Sequence, residues 1–207
     1  MKLHYFETIN GRKACVAAKH LNAPVEFVRV NLGKNEQTAP AYLALNPNGK
    51  VPVLETETGS IWESNAIMAY LARKMGSDLL PTDERITEVV RWLTWSSEHF
   101  NRYASRVYFE NLVKVHFNIG PADAAMVEEA NGYIRKYGAI LNDHLKGRRY
   151  VVGDTLTIAD FAVGAALPYA TAARIPLDGF SEIARWADRL NELPAWRDPY
   201  PETKAAA

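Results

Sequence analysis

The sequence predicts an α/β protein in two parts, a small mixed sheet carrying helices and then an all-helical part. Three observations predict it. Residues 1–76 alternate short β-branched or aromatic runs with runs of helical period. Their order is strand, helix, strand, then a hairpin and a helix. Beyond the stretch GSDLLPTDER, residues 76–85, every periodic segment reads as helix.

Leu3 to Phe6 is a short apolar-aromatic run and reads as the first strand. Gly11 to Leu21 sets Ala14, Cys15, Ala17, Ala18 and Leu21 at helical spacing. Val25 to Val30, preceded by Pro24, reads as the second strand. A strand–helix–strand unit implies a parallel pair with a right-handed crossover. A polar loop follows, with a short helix near Ala39 to Ala44. Val51 to Glu55 and Ser60 to Trp62 then flank a Thr56–Gly59 turn, which gives an antiparallel pair. Residues 65–75 are helical again, with Ser64 placed to cap them.

The stretch at 76–85 carries Gly, Pro and a polar cluster. It divides the chain into a first domain at 1–76, a linker at 77–85 and a helical domain at 86–207. Arg85 to Lys114 is one long aromatic-rich helical pattern. Pro121 suits the first turn of a helix running to about Leu145. GDTLTIADFAVGAAL starts another, and FSEIARWADRLNELPAW is amphipathic and ends at Pro194. The tail PETKAAA is expected to fray.

Composition narrows the function classes. The chain has 207 residues, 48% hydrophobic and 23% charged, as soluble globular proteins do. Lys+Arg and Asp+Glu are 24 each, so no global field favours nucleic acid or an anionic membrane. With the single cysteine, Cys15, no disulfide forms within the chain, and a reducing compartment is expected. Neither a secretory leader nor a membrane-spanning run is recognisable, so a cytoplasmic location is expected. The five histidines show no metal-ligand spacing, and no metal is expected. Cys15 falls on the apolar face of its helix and reads as a small core residue.

Four constellations remain. Thr157-Ile158-Ala159-Asp160 is a capping box, a folding device. Val51-Pro52 opens a strand with a residue that lacks an N–H. Either Pro52 sits on a sheet edge, or a cis bond turns the chain and leaves the Val51 amide and carbonyl free to pair with a peptide-like ligand. Glu63-Ser64 joins a strand to a helix. As a site, the helix N-terminus and the Ser64 hydroxyl suit a carboxylate and Glu63 suits an ammonium, the two charges of a free amino-acid end. Thr8 to Lys13 lies between the first strand and first helix, where Thr8 and Asn10 offer hydrogen bonds that would stabilise a thiolate. Read plainly, it is a cap-and-turn loop.

Together these residues resemble the cytosolic glutathione S-transferase family, over nearly the whole chain. The ordered set is NPNGKVPVL, ESNAIMAYLA, a linker, TIAD and ARWADRLNELPAW. The loop TINGRK is similar to a bacterial and fungal branch with a T-x-N-G-x-K pattern. The resemblance implies a thioredoxin-like first domain with a four-stranded mixed sheet and an all-α second domain. It implies glutathione as co-substrate and a homodimer, without metal, nucleic acid or membrane. Val51 and cis-Pro52 would bind the cysteinyl unit, Glu63 and Ser64 the γ-glutamyl end, and Lys50 the glycyl carboxylate. Thr8 and Asn10 would surround the sulfur; Tyr5 lies within the first strand. Tyr103, Tyr108 and Phe109, with Trp95, are candidates for the wall that receives a small hydrophobic electrophile, and at least half of them are expected to be buried. Transfer, disulfide reduction and peroxide reduction fit the branch. A non-catalytic binding or regulatory protein of this fold is the alternative.

Overall fold

The computed structural model describes residues 1–201. It opens with strand β1 (Lys2–Tyr5), helix α1 (Ile9–His20) and strand β2 (Glu26–Arg29). Two short 3₁₀ turns lead to α2 (Pro40–Leu45), hairpin β3 (Val53–Thr56) and β4 (Gly59–Trp62), and α3 (Ser64–Lys74). The sheet order is β2-β1-β3-β4, with β1 parallel to β2 and antiparallel to β3. β4 runs antiparallel to β3.

Strand alternation decides what covers each face. Leu3 and Tyr5 join Ala14, Cys15 and Ala18 of α1 and Ile67 and Leu71 of α3 in one buried cluster. On the opposite face Val30, Tyr42 of α2 and Val53 form a second cluster. Cys15 is fully buried, as the sequence implies, and burial raises the pKa of its thiol.

Helices α4 (Arg85–Trp95), α5 (Asn101–Tyr108) and α6 (Lys114–His116) follow one another through two π-helical turns, Ser96–Phe100 and Phe109–Val113. The long helix expected from Arg85 is therefore real but interrupted. Next come α7 (Ala124–His144), α8 (Ile158–Val163), α9 (Ala170–Ala173), α10 (Ser181–Asn191) and α11 (Pro194–Arg197). Asp123 rather than Pro121 opens α7, accepting a bond from the Met126 amide. The core of these helices contains Phe100, Ala104, Val107, Ile134, Leu141, Phe161 and Trp186.

The box at Thr157 forms and does more than cap. Asp160 is buried, and its Oδ1 accepts from the Val151 amide at 2.8 Å and Trp186 Nε1 at 3.1 Å. Its Oδ2 accepts from the Thr157 amide at 2.9 Å. One carboxylate thus ties a loop, α8 and α10 together. Burial raises its pKa to about 6, and the N–H donors pull the other way.

Contacts divide the chain into two units, residues 78–190 and residues 1–77 joined by the segment from Asn191. The expected second domain, 86–207, differs in that its end belongs with the first unit. The fasteners are on α1. Arg12 donates to the Trp196 carbonyl, and its guanidinium lies 4.9 Å from the Trp196 ring centroid. Lys19 Nζ donates to the carbonyls of Asp198 at 2.5 Å and Tyr200 at 3.0 Å. The Tyr200 ring stacks on Tyr5 at 5.7 Å. Most of the tail whose fraying the sequence predicts, residues 202–207, lies outside the described residues.

Candidate functional site

The site is built from element termini at one end of the sheet. β1 and β4 both run antiparallel to β3, so their carboxyl ends lie beside the start of β3. Chain leaves or enters the ladder there, and its amides and carbonyls need other partners.

At the end of β1, Thr8 caps α1. Its Oγ1 accepts from the Gly11 amide at 3.1 Å. The helix begins at Ile9, so the segment Thr8–Lys13 is not the loop that the sequence suggests. Asn10 is the second helical residue and exposed, and Arg12 and Lys13 are buried. Gly11 is required for a reason other than a turn: a Cβ there would come within 2.1 Å of the Phe6 carbonyl oxygen. Only a glycine lets α1 start so close to β1.

At the start of β3, the Val51–Pro52 bond is cis. Pro52 precedes the ladder, which opens at Val53, so its missing N–H costs no sheet bond. The Lys50 carbonyl is held by Tyr42 Oη at 2.9 Å and Asn46 Nδ2 at 2.7 Å. Asn46 Oδ1 in turn accepts from the Asn48 amide at 3.0 Å. Among the described residues, neither the amide nor the carbonyl of Val51 has a hydrogen-bond partner. That main chain is anchored on one side and open on the other.

At the end of β4, Glu63 stands at φ 73°, a left-handed conformation uncommon for a side-chain-bearing residue. It is the N-cap of α3, and Ser64 is the first helical residue. The expected cap is thus displaced by one position, because the chain turns at Glu63. Glu63 is exposed and Ser64 buried at the helix N-terminus. Asn10, Lys50, Val51, Pro52, Glu63 and Ser64 line one cavity of about 130 Å³, joined by Asn46 and Asn48. Thr8 does not line it; its hydroxyl caps α1 and lies 3.5 Å from the Phe6 carbonyl.

Sequence reasoning missed Asn46 and Asn48. The signal was present in NPNG, whose asparagines and glycine mark a turn next to Lys50. Tyr42, the tyrosine that fixes the Lys50 carbonyl, left no local signal.

In the second unit the aromatic candidates sit apart from the core. Tyr103 stacks on Tyr133 at 4.2 Å, and Tyr108 meets Tyr169 edge-on at 5.0 Å. Phe109 is 42% exposed, and Trp95, Tyr103 and Tyr108 are half-buried. The expectation that half of these rings are buried does not hold. The buried stripe is Phe100, Ala104 and Val107, at i, i+4 and i+7, and the candidate rings flank it. Among the described residues no helix is long and apolar enough to cross a membrane. None of their His, Cys, Asp and Glu side chains form a group of three or more able to hold a metal ion.

The chain matches two family models, described as glutathione S-transferase N-terminal domain over residues 1–73 and glutathione S-transferase C-terminal domain over 98–194. It is 35% identical over 179 residues to glutathione S-transferase 3 of Zea mays, covering 83% of this chain and 80% of that one. It is 32% identical to elongation factor 1-gamma 1 of Oryza sativa subsp. japonica, over 86% of this chain but 42% of that one. Among solved structures, a glutathione transferase family member from Pseudomonas fluorescens with two glutathione bound superimposes with a TM-score of 0.84. That pair is 25% identical, over 96% of this chain and 91% of the other.

Proposed function

The chain belongs to the glutathione S-transferase family, and from that premise we propose that it is a glutathione-dependent transferase with its glutathione site in the cavity at that end of the sheet. The observation that carries this reading is the open main chain of Val51 between a fixed Lys50 carbonyl and the α3 N-terminus. An extended peptide pairs with such a stretch as an added strand. Glu63 then takes the γ-glutamyl ammonium, and Ser64 with the first amides of α3 takes the carboxylate. The Lys50 ammonium balances the glycyl carboxylate.

The chemistry required is modest. A thiol near neutral pH is mostly protonated, and the thiolate is the nucleophile. Thr8 and Asn10, beside the N-terminus of α1, favour the anion by donating to it. The thiol proton passes to solvent, the sulfur bonds to the electrophilic atom, and the leaving group departs with the electron pair. For a disulfide or a peroxide the atom attacked is sulfur or oxygen. Tyr103, Tyr108 and Phe109 are the apolar surface for the second substrate, and a homodimer is the expected assembly. A cytoplasmic location fits a chain with one buried cysteine.

A relative named as an elongation factor favours a second reading, a binding or regulatory protein that keeps the cavity without turnover. One panel separates the two: a chlorinated aromatic, a glutathione mixed disulfide and a hydroperoxide, each with glutathione. Turnover of any of them supports the enzyme. Retention on glutathione-agarose with no turnover supports the binding module. Unchanged retention of a Glu63→Ala, Ser64→Ala double variant rejects the site.

A further inference from the structure

Two side chains of α2 and its C-cap converge on one backbone oxygen beside the cavity. Tyr42 and Asn46 stand four residues apart, hence on one face. Tyr42 Oη donates to the Lys50 carbonyl at 2.9 Å, and Asn46 Nδ2 to the same oxygen at 2.7 Å. Both donors are held in place. The Tyr42 ring is buried and packs with Val30 and Val53. Burial raises its pKa, so the hydroxyl keeps its proton across the working pH range. Asn46 is buried too, and its Oδ1 accepts from the amide and the Nδ2 of Asn48 at 3.0 and 2.9 Å, which turns its own Nδ2 to the carbonyl. One donor satisfies a carbonyl, yet two buried side chains serve this one, on a residue that is itself exposed. The rest of that peptide unit explains why. The Lys50 carbonyl and the Val51 amide share one planar trans group, in which C=O and N–H point opposite ways. Fixing the oxygen therefore aims the N–H. That N–H has no partner among the described residues, and Val51 lines the cavity. Two donors on the oxygen also polarise the group and strengthen its N–H.

We infer that Tyr42 and Asn46 are positioning residues of the site: through the Lys50 carbonyl they orient and polarise the Lys50–Val51 peptide, so that the Val51 N–H meets a carbonyl in the middle of the ligand. This rests on the glutathione reading of the cavity, in which that acceptor is the cysteinyl carbonyl. The pair thus serves the backbone of the ligand rather than its charged ends. A thiol compound that lacks the carbonyl gains nothing from it. The preference set in this way is for a peptide over a simple γ-glutamyl thiol. Bonds that only closed the turn after α2 would serve every ligand alike.

The test compares three ligands on the whole chain by calorimetry. Glutathione and γ-glutamylcysteinamide both carry the cysteinyl carbonyl, and the second lacks the glycyl carboxylate. γ-Glutamylcysteamine keeps the thiol and the amino-acid end but has no cysteinyl carbonyl. Tyr42→Phe keeps the ring in its core and deletes one donor. It is expected to weaken the first two ligands by the same factor, about 2- to 10-fold, as for one neutral hydrogen bond. The affinity for the third is unchanged. In the ligand-free variant the Val51 amide proton resonance moves upfield, as for a less polarised N–H. Asn46→Asp deletes the other donor, keeps an acceptor for Asn48 and is expected to give the same pattern. It takes the place of Tyr42→Phe should that variant not fold, with its melting curve as the control. Equal weakening of all three ligands, or of none, overturns the assignment while the cavity reading stands. Loss confined to glutathione overturns it as well, because the effect then runs through the Lys50 ammonium and the glycyl carboxylate. A wild-type chain that binds none of the three overturns the cavity reading itself.

Discussion

Thr8 caps α1 and, in the proposed site, donates to the glutathione sulfur, and one substitution separates the two. In the structure its oxygen accepts the Gly11 amide at 3.1 Å, so the residue is a helix cap whatever else it does. Its own proton is nearly unused, since the nearest acceptor, the Phe6 carbonyl, is 3.5 Å away. That proton is available to a glutathione sulfur at little cost. Thr8→Val keeps the shape and removes both bonds. Loss of the cap destabilises by about 1 kcal/mol. Loss of a hydrogen bond to a charged sulfur costs about 1.5–3 kcal/mol. At about 1.4 kcal/mol per pKa unit, the bound thiol rises by one to two units. The assay is thiolate absorbance of the bound peptide across a pH titration, with kcat/KM in parallel. On the acid limb, where little thiolate is present, kcat/KM falls about 10- to 100-fold. Thr8→Ser, which keeps the hydroxyl, stays near wild type. If Thr8→Val loses its kcal/mol of stability but titrates its bound thiol as before, Thr8 is a cap only. The donor to the sulfur then has to be sought at Asn10.

Three further outcomes follow from packing. Gly11→Ala places a methyl 2.1 Å from the Phe6 carbonyl, where backbone cannot yield. Denaturant titration is expected to show a loss of about 3 kcal/mol, at the upper end for overpacking. It outweighs the ~1 kcal/mol that Ala brings to a helix interior; a neutral result refutes the close approach. Asp160→Asn keeps the Oδ1 acceptor for Val151 and Trp186 but turns an amide NH₂ toward the Thr157 N–H. A clash of two donors in the core costs about 2–3 kcal/mol, read as a drop in Tm of about 5–10 °C at this chain length. Cys15 is fully buried with a raised pKa, so the native protein resists a thiol reagent that labels the unfolded chain at once. The folded thiol keeps a proton that the unfolded chain gives up above about pH 8.5. Stability therefore falls there by about 1.4 kcal/mol per pH unit, and Cys15→Ala flattens that decline relative to wild type.

The first unit was legible because its signals are local. Alternation in Leu3, Tyr5 and Val53 assigns each strand face, and the apolar spacing of Ala14, Cys15 and Ala18 assigns the face of α1. What the sequence misjudged there were junctions. Ser64 looks like a cap because serines are good caps, but the left-handed backbone at Glu63 moves the helix start by one residue. TINGRK looks like a loop because Asn-Gly marks turns. The glycine is needed instead for the contact with the Phe6 carbonyl, which no local pattern records. Likewise, the return of 191–201 to α1 depends on Arg12 and Lys19 reaching backbone carbonyls far along the chain.

The cavity residues and the aromatic candidates differ in legibility for a physical reason. The cavity residues sit where main chain leaves regular structure, and such places are announced by proline, glycine and small polar residues. NPNGKVP and ESN can be read without knowing any helix phase. An aromatic wall is read only through phase, that is, by carrying a 3.6-residue period along a helix. Between Trp95 and Phe109 that period is broken. A π-helical turn at Ser96–Phe100 adds a residue and rotates everything beyond it by about 100°. A second, beginning at Phe109, does so again. Extrapolation from Trp92 through the first turn turns Tyr103 inward, whereas the stripe that is buried is Phe100, Ala104 and Val107. Deleting Glu98 takes out the extra residue of the first π-turn and leaves a regular helix in which Phe100, Ala104 and Val107 keep the buried phase, whereas deleting Arg102 turns Ala104 and Val107 away from the core by about 100°. The first variant is expected to melt near the wild type and the second well below it. Equal loss of stability in both, compared by thermal melts, means that the π-turn does not absorb one residue of helix phase.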